Sequence, residues 1–336
     1  MSVGRPSNRR RFLRAIGVVT GAAVGLRPPP VGAEPPPETT RIRLTHRPSL
    51  CEAPNYVAEE LLRSEGFTDV QYVKRDYGDA EDSLRKGEVD ITMLFGPPMI
   101  LRMDAGEPIV FLAGVHVGCG EVFASPRVRT FRDFKGKPFA ISALRDPSHT
   151  VVGAIAAHVG LDPQRDIHWV MHPVQDWPEL LAAGKIDGFL TAPPQAQATR
   201  ARKIGHVILN TATDRPWSQY FCCMVVARTD FVRRYPVATK RALRAILKAS
   251  EICALQSEAV ARSLEDRGFV DRNPFTIQSL REVPYGRWRD YDPADAVRFY
   301  ALRLREAGMI KTSPQKILAE GTDWRFLTEL KRELKA

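Results

Sequence analysis

The sequence predicts an α/β protein with two lobes, each built on a sheet that is covered by helices. Strand-like and helix-like patterns alternate from residue 41 onward, which is typical of parallel strands joined by helical crossovers. The same alternation starts again near Phe131, after a first series that ends at Val117. A chain of 336 residues is also long for a single hydrophobic core, so we expect two lobes.

Residues 1–33 predict an export signal. Arg9-Arg10-Arg11-Phe12-Leu13 precedes an uncharged run over 15–26, and small residues follow up to Ala33. Paired arginines before Phe-Leu resemble a twin-arginine signal, whose export machinery carries folded proteins. The apolar run is too short to span a bilayer, which disfavours the alternative of a membrane anchor. We expect cleavage after about Ala33, a periplasmic protein, and a Pro-rich linker over 34–40.

The net charge of +10 does not indicate a nucleic-acid partner. Residues 1–33 contain six arginines and no acidic residue, which leaves 43 basic and 39 acidic residues in the remainder. A balance of about +4 over some 300 residues is weak, and no basic run after residue 33 is interleaved with aromatic residues. We therefore predict no nucleic-acid binding.

The five cysteines do not form a Cys-x-x-Cys pair, so neither a zinc ribbon nor a redox dithiol is indicated. We predict no cofactor and no resident metal. One alternative remains open, because His46, Cys51, His116 and Cys119 lie near the ends of predicted strands. Two imidazoles and two thiols could meet there and bind a metal.

The first lobe is predicted from short periodic segments. Residues 41–45 alternate polar and apolar side chains as a strand does, and the spacing of Tyr56, Val57, Leu61 and Leu62 is helical. The continuous apolar run over 109–117 suits a strand covered on both faces. The predicted elements are a strand at 41–45, a helix at 54–66, a strand at 70–73, a helix at 79–86, a strand at 89–95, a helix at 98–105 and a strand at 109–117.

The second lobe repeats this pattern, and a return strand over 220–227 leads into a mainly helical tail at 230–268 and 293–336. We predict that lobe 1 comprises 41–125 with 228–336 and that lobe 2 comprises 126–227. Two connections between lobes form a natural hinge for closure on a ligand. The predicted elements of lobe 2 are a strand at 139–142, a helix at 150–159, a strand at 167–171, a helix at 178–183 and a strand at 186–190.

Ligands of parallel α/β lobes bind beyond the carboxyl ends of the strands, where helices begin. The helix start at Ser148-His149-Thr150 offers hydroxyls and N–H groups to a carboxylate, sulfonate or carbonyl oxygen, although these residues also suit a simple N-cap. Phe95, Trp217 and Tyr220 are candidates for stacking on a ligand or for core packing. The predicted ligand-binding residues are Ser49, Cys51, Tyr56, Phe95, Gly96, Pro97, Gly118, Cys119, Ser148, His149, Thr150, Thr191, Pro193, Trp217 and Tyr220.

No enzyme motif accompanies these residues. The sequence contains no Gly-x-Ser-x-Gly elbow, no phosphate-loop lysine motif and no His-Glu-x-x-His helix. We therefore predict a binding protein without catalytic residues.

Several landmarks in order resemble the nitrate, sulfonate and taurine class of ABC-transporter substrate-binding proteins. An Ala-Pro-x-Tyr-x-Ala helix at 53–58 leads to a Glu-Gly turn at 65–66, as in that class. Later landmarks are Gly87-Glu88-Val89-Asp90-Ile91, Ala105-Gly106-Glu107-Pro108-Ile109-Val110, Phe131 to Gly136 and Tyr235 to Arg241. The resemblance extends over about residues 41–260.

This resemblance implies a type II periplasmic-binding fold, with two α/β lobes and a double crossover hinge. It also implies a monomer that binds a small ligand between its lobes and delivers it to an ABC permease in the inner membrane. The class contacts its ligand at positions that correspond here to Ser49, Cys51, Tyr56, Gly96, Pro97, Ser148, His149 and Thr191. Members often have His in place of Cys51-Glu52, and Gly118-Cys119-Gly120 is unusual, so the ligand's identity does not transfer. We expect an anionic or heteroaromatic ligand.

Two other functions remain as alternatives. Synthases of the thiamine pyrimidine precursor share the superfamily, and Phe221-Cys222-Cys223 is faintly similar to their Cys-rich segment. The export signal opposes this alternative, because that chemistry needs a cytosol supplied with pyridoxal phosphate. A solute sensor that signals through a histidine kinase is the other alternative.

Overall fold

The computed structural model describes residues 34–75 and 79–334. The predicted export signal lies outside the described residues. Residues 36–336 form one compact unit. Within the described ranges, no helix is both long enough and apolar enough to cross a membrane.

Strands and helices alternate over most of this unit, as the sequence predicts. The strands are β1 (Arg41–His46), β2 (Asp69–Lys74), β3 (Ile91–Phe95), β4 (Ile109–Val117), β5 (Glu121–Ala124), β6 (Pro138–Ile141), β7 (His168–Met171), β8 (Gly188–Thr191), β9 (His206–Asn210) and β10 (Phe221–Arg228). The helices are α1 (Ala53–Ser64), α2 (Asp79–Ser83), α3 (Gly96–Asp104), α4 (Pro147–His158), α5 (Trp177–Ala182), α6 (Gln195–Ala201), α7 (Thr229–Arg234), α8 (Pro236–Leu255), α9 (Ser257–Asp266), α10 (Thr276–Glu282), α11 (Pro293–Glu306), α12 (Pro314–Gly321) and α13 (Arg325–Glu333).

The strands of the first lobe form a two-stranded sheet of β1 and β2 and a three-stranded sheet with the order β3-β10-β4. β1 pairs with β2 in parallel, and β10 runs antiparallel between β3 and β4. Thr45 joins β1 to β3, because its hydroxyl lies 2.6 Å from that of Thr92. The carboxyl ends of β1, β3 and β4 therefore reach the same edge, where β10 begins.

The second lobe is built on a five-stranded sheet with the order β7-β6-β8-β5-β9. β6 is parallel to β7 and β8, whereas β5 is antiparallel to β8 and β9. Each lobe thus contains one strand that the chain forms directly after it leaves the other lobe, and this strand runs antiparallel to its neighbours.

These two arriving strands define where the chain crosses between the lobes. Strand pairing places β5 in the five-stranded sheet of the second lobe and β10 in the three-stranded sheet of the first lobe. The lobe boundaries predicted from the sequence, at 125/126 and 227/228, instead assign β5 to the first lobe and β10 to the second. The crossings come one strand earlier, because a strand belongs to the sheet that satisfies its backbone hydrogen bonds rather than to its neighbour in sequence.

Apolar packing joins the lobes on one side. Helix α11 packs against α3 of the first lobe and α4 of the second. A single cluster of buried side chains, which we call the bridging cluster, contains Leu101 of α3, Val152 and Ile155 of α4, and Leu304 of α11. The predicted tail of lobe 1 therefore contacts both lobes.

The sequence analysis did not predict four elements, namely β5, β9, α6 and α10. The helical pattern predicted over 230–268 is also three helices, α7, α8 and α9. The first break follows from Pro236, because the residue before a proline is pushed out of the helical region, and Tyr235 has φ −133° and ψ 62°.

Candidate functional site

A cleft of about 640 Å³ lies between the two lobes, at the carboxyl edges of their parallel strands. Its size suits a small organic molecule. The loops after β1, β3, β6, β7 and β8 contribute to its wall, as expected for parallel strands whose ends meet at one edge. The lining residues are Pro48, Phe95, Gly120, Ser142, Asp146, Pro147, Ser148, Val174, Gln175, Trp177, Leu190, Thr191, Ala192, Pro193, Pro194, Gln195, Asp271 and Asn273.

The start of α4 is the most ordered polar feature of the cleft. The carboxylate of Asp146 accepts a hydrogen bond from the backbone N–H of His149 (2.8 Å) and one from the hydroxyl of Ser148 (2.7 Å). The hydroxyl of Ser142 donates to the same carboxylate. Asp146 therefore caps the helix and fixes two serine side chains at the cleft wall.

This cap changes the expectation for the helix start. The predicted role of Ser148-His149-Thr150 was to bind an anionic group with free N–H donors. The carboxylate of Asp146 already occupies that position and would repel a second anion. Thr150 is turned inward, and its hydroxyl donates to the Asp146 carbonyl at 2.8 Å.

Prolines remove donors at the other helix starts around the cleft. Pro97 and Pro98 occupy the first turn of α3, and Pro193 and Pro194 precede α6. Proline has no N–H, so these helix starts have few groups with which to bind an anion.

The wall of the second lobe is mainly apolar. Trp177, Val174 and Leu190 line the cleft, together with Phe95 of the first lobe. Trp177 is only 2% exposed, and its indole N–H donates to the His172 carbonyl at 2.9 Å. Such a surface favours a planar or apolar ligand.

The charged residues that line the cleft are acidic. They are Asp146 and Asp271, and none of the described residues lining it is Lys or Arg. A smaller cavity of about 400 Å³ adjoins the cleft at Pro48 and Asp271 and includes Lys74 and Arg75. Arg75 is paired there with Glu88 at 2.6 Å. The cations near the cleft thus lie outside its lining.

Four of the predicted ligand-binding residues line this cleft: Phe95, Ser148, Thr191 and Pro193. Others are adjacent but turned away. Gly96 and Pro97 are buried in the first turn of α3, and Ser49 is buried before the first helical turn. Gly118 lies so close to the Thr211 backbone that a Cβ would be 1.9 Å from the Thr211 carbonyl oxygen.

Tyr56 is packed inside the first lobe rather than in the cleft. It is fully buried, and its ring stacks on Phe269 with the centroids 4.9 Å apart. Its hydroxyl donates to the Arg47 carbonyl and accepts from the Arg47 N–H at 3.1 Å. The side chain therefore holds the loop after β1 and does not line the cleft.

His149 lies beside the cleft without lining it. Its Nδ1 accepts the backbone N–H of Arg145 at 3.0 Å, and its ring meets Trp169 edge to face. Burial, with a smaller contribution from the charge of Arg145, lowers the pKa of His149 to about 4. The imidazole is thus neutral at neutral pH.

Trp217 and Tyr220 also point away from the cleft. β10 begins at the expected edge, but Tyr220 stacks on Phe299 of α11 with ring centroids 4.0 Å apart, and Trp217 packs beside them. Both residues therefore pack against α11 and do not line the cleft.

Cys51 and Cys119 meet other cysteines beneath the cleft. The Cys51 thiol lies 3.1 Å from that of Cys119, and His116, Cys222 and Cys223 complete a buried group. Burial opposes ionisation of Cys222, but hydrogen bonds from Cys119 and Cys223 outweigh it and lower its pKa to about 6. His46 is elsewhere, with Nε2 2.8 Å from the Phe269 carbonyl oxygen. The proposed partnership of His46 with these residues was therefore wrong.

Sequence reasoning missed several lining residues. Val174, Gln175 and Trp177 follow the parallel strand β7, so the rule of carboxyl strand ends could have found them. Asp271 and Asn273 follow α9 in irregular chain, where no periodicity signals a position in the cleft.

Comparison with known proteins agrees with this architecture. The sequence model of the NMT1-like family matches residues 35–265. The nitrate import ATP-binding protein NrtC of Synechocystis is 26% identical over 224 residues, which cover 60% of this chain and 33% of that protein. The chain thus spans about a third of this relative's length.

Solved structures share the fold at low identity. The periplasmic nitrate-binding protein NrtA of Synechocystis superposes with a TM-score of 0.74 at 18% identity, over 90% of each chain. The alkanesulfonate-binding protein SsuA of Xanthomonas axonopodis, bound to MOPS, gives 0.70 at 14%, over 85% of this chain and 99% of that one. The CA3427 product of Candida albicans, described as having the generic periplasmic binding protein fold, gives 0.65 at 14%, over 84% and 96%. The predicted fold class is confirmed.

Proposed function

Because this chain belongs to the NMT1-like family, we propose that it is the solute-binding component of an ABC importer. In this function the protein is exported, binds one small organic molecule in the cleft between its lobes as a monomer, and presents it to a permease in the inner membrane. The proposal rests on one observation, the cleft between two lobes that the chain connects twice. The shared fold with periplasmic nitrate- and sulfonate-binding proteins supports it over the synthase alternative.

The lining of the cleft narrows the ligand class. An anion needs cations or free N–H donors, and the lining provides acidic side chains, a helix start that is already capped, and prolines. Apolar and aromatic side chains occupy the remaining wall. We therefore propose a neutral or weakly cationic heteroaromatic ligand, and of the two classes expected from the sequence we retain only the heteroaromatic one.

Polar groups at the wall would orient such a ligand. Ser148 is fixed by Asp146, and the Thr191 hydroxyl lies 3.1 Å from the Gln195 side-chain oxygen. Both hydroxyls donate their protons within the protein, so their free lone pairs accept hydrogen bonds from ring N–H and exocyclic amino groups of a ligand. Closure of the lobes would follow from a higher affinity of the ligand for the closed form.

A thermal-shift screen tests this function directly. Pyrimidines, other heteroaromatic amides and amines, nitrate and alkanesulfonates are compared on the full chain. A ligand present at 100 times its Kd stabilises the fold by about 2.7 kcal/mol, which raises Tm measurably. We expect shifts with heteroaromatic compounds and none with nitrate or sulfonates.

Cleft variants then locate the site by calorimetric titration with the compound that binds. Thr191→Val keeps the side chain's shape and removes its hydroxyl, so we expect affinity to fall about tenfold. Thr213→Val, which alters an exposed threonine outside the cleft, is the matched control and should bind normally.

The outcomes separate the two parts of the proposal. Tight binding of nitrate or a sulfonate would overturn the ligand class and leave the transport function standing. If no compound of the screen binds, the solute-binding function itself fails. If a compound binds and Thr191→Val binds it as Thr213→Val does, the cleft is not the binding site.

A further inference from the structure

A group of metal-ligating side chains lies beneath the cleft, at the point where the chain crosses between lobes. The Cys222 Sγ atom is 3.4 Å from that of Cys119, 3.7 Å from that of Cys223 and 4.0 Å from Nδ1 of His116. These four ligand atoms all lie within 4.8 Å of one another, and all four residues are buried.

These separations fit a tetrahedral metal site. Zinc binds sulfur at about 2.3 Å and imidazole nitrogen at about 2.0–2.1 Å, so the edges of its coordination tetrahedron are about 3.5–3.8 Å long. The three distances measured from Cys222 lie close to this range. Three thiolates and one imidazole are also a common ligand set of closed zinc sites.

A break in the strand register explains how two adjacent cysteines reach one site. Neighbouring side chains of a regular strand point to opposite faces. The pairing of β10 with β4 shifts between Phe221 and Cys223 and again between Cys223 and Met224. Such bulges redirect a side chain, and here they bring the two thiols together.

The imidazole of His116 lies between two carbonyl oxygens. Its Nε2 lies 3.0 Å from the Cys51 carbonyl oxygen, and its Nδ1 lies 2.8 Å from the Val117 carbonyl oxygen. A neutral imidazole has one N–H, so it can donate to only one of them. If Nε2 donates to Cys51, Nδ1 carries a lone pair, and zinc at about 2.0–2.1 Å from Nδ1 requires the Val117 carbonyl oxygen to move from its present distance of 2.8 Å.

We propose that Nδ1 of His116 and the thiolates of Cys119, Cys222 and Cys223 bind one zinc(II) ion. Binding releases the thiol protons, and the Nε2–H bond to Cys51 fixes the imidazole tautomer. Cys51 donates its S–H to Cys119 at 3.1 Å and orients that ligand. This site is independent of the proposed solute.

The ion would act as a staple at the hinge. Cys119 lies on the connection from β4 to β5, whereas Cys222 and Cys223 open β10, the return strand. One ion would thus tie both crossings together. The four ligand residues are at most 5% exposed, so the ion would bind as the chain folds. The predicted twin-arginine signal would permit this, because its machinery exports proteins that are already folded.

Metal analysis of the full chain, purified with reduced thiols, tests the proposal. We expect about one equivalent of zinc per chain, and chelation of that zinc should lower Tm. Cobalt(II) added to the apo protein should give thiolate-to-cobalt charge-transfer absorption, which reports sulfur ligation independently of stability.

Variants locate the ion. Cys222→Ala should lower zinc affinity at least 100-fold and abolish the cobalt charge-transfer band. Cys253→Ala is the matched control, because Cys253 is equally buried but lies outside the group, and it should retain zinc. If Cys222→Ala does not fold, the cobalt spectrum and chelation of the unmodified chain still decide the matter.

Two results would overturn the site. One is a folded chain with five free thiols that neither contains zinc nor takes up zinc or cobalt. The other is a Cys51–Cys119 disulfide, seen as a loss of two hydrogens by mass spectrometry, in a chain that does not bind zinc. Neither result bears on the thermal-shift screen.

Discussion

At the scale of single residues, buried polar side chains hold the loops that shape the cleft. Arg47 is fully buried next to the cleft residue Pro48, and it pairs with Glu52 and Glu81. Tyr56 exchanges two hydrogen bonds with the Arg47 backbone. The sequence placed Tyr56 at the ligand, but burial assigns it a structural role.

We therefore expect Tyr56→Phe to reduce stability without a direct effect on ligand affinity. Loss of the hydroxyl leaves the buried Arg47 N–H without that acceptor, which costs about 1–3 kcal/mol. Chemical denaturation measures the change. Tyr235→Phe, whose hydroxyl lies at the surface beside Arg234, should change stability by less than about 0.5 kcal/mol. Weaker ligand binding by Tyr56→Phe at full stability would contradict this role.

At the scale of elements, the connection from β6 to α4 determines what the cleft can bind. Asp146 satisfies the N-terminus of α4 and fixes Ser142 and Ser148. Arg145 has a positive φ of 72°, a conformation that side chains rarely adopt, and its N–H is bound by His149. His149 therefore stabilises this turn only while its Nδ1 is unprotonated.

This arrangement predicts a pH dependence. The folded pKa of His149 is about 4, below the value of about 6.5 expected in the unfolded chain. As pH falls from 6.5 to 4, the unfolded state takes up a proton that the folded state does not, so stability falls. His149→Gln can still accept the Arg145 N–H and does not titrate. We expect its stability to fall less over this interval in pH-dependent urea titrations. Identical slopes for the two proteins would contradict the assignment.

At the scale of the whole molecule, the bridging cluster couples the two lobes. Helix α11 follows the first lobe in sequence but packs on both lobes, and its buried residues join those of α3 and α4. We therefore expect closure around the proposed ligand to pivot about this apolar side.

The shared cluster predicts that residues 36–336 unfold in one cooperative transition, despite their two lobes. Leu304→Ala removes a fully buried side chain from the cluster and should cost about 2–5 kcal/mol, lowering the single Tm. Leu302→Ala, on the same helix but 40% exposed, should change Tm little. Two calorimetric transitions in the unmodified chain would show that the lobes unfold independently.

The sequence by itself determined the local elements and the fold class. Periodicity gave β4 its observed limits of Ile109 and Val117, and the carboxyl-end rule found Phe95, Ser148, Thr191 and Pro193 for the cleft. These features follow from local patterns, because side-chain spacing and strand direction are properties of short segments.

Tertiary structure alone decided which residues meet. It gave β5 and β10 to their sheets, packed Tyr56 inside the first lobe and gathered Cys119, Cys222 and Cys223 around His116. Contacts between residues about 100 positions apart depend on strand register and on a bulge. No local pattern encodes these, because they are fixed only when the sheets pair.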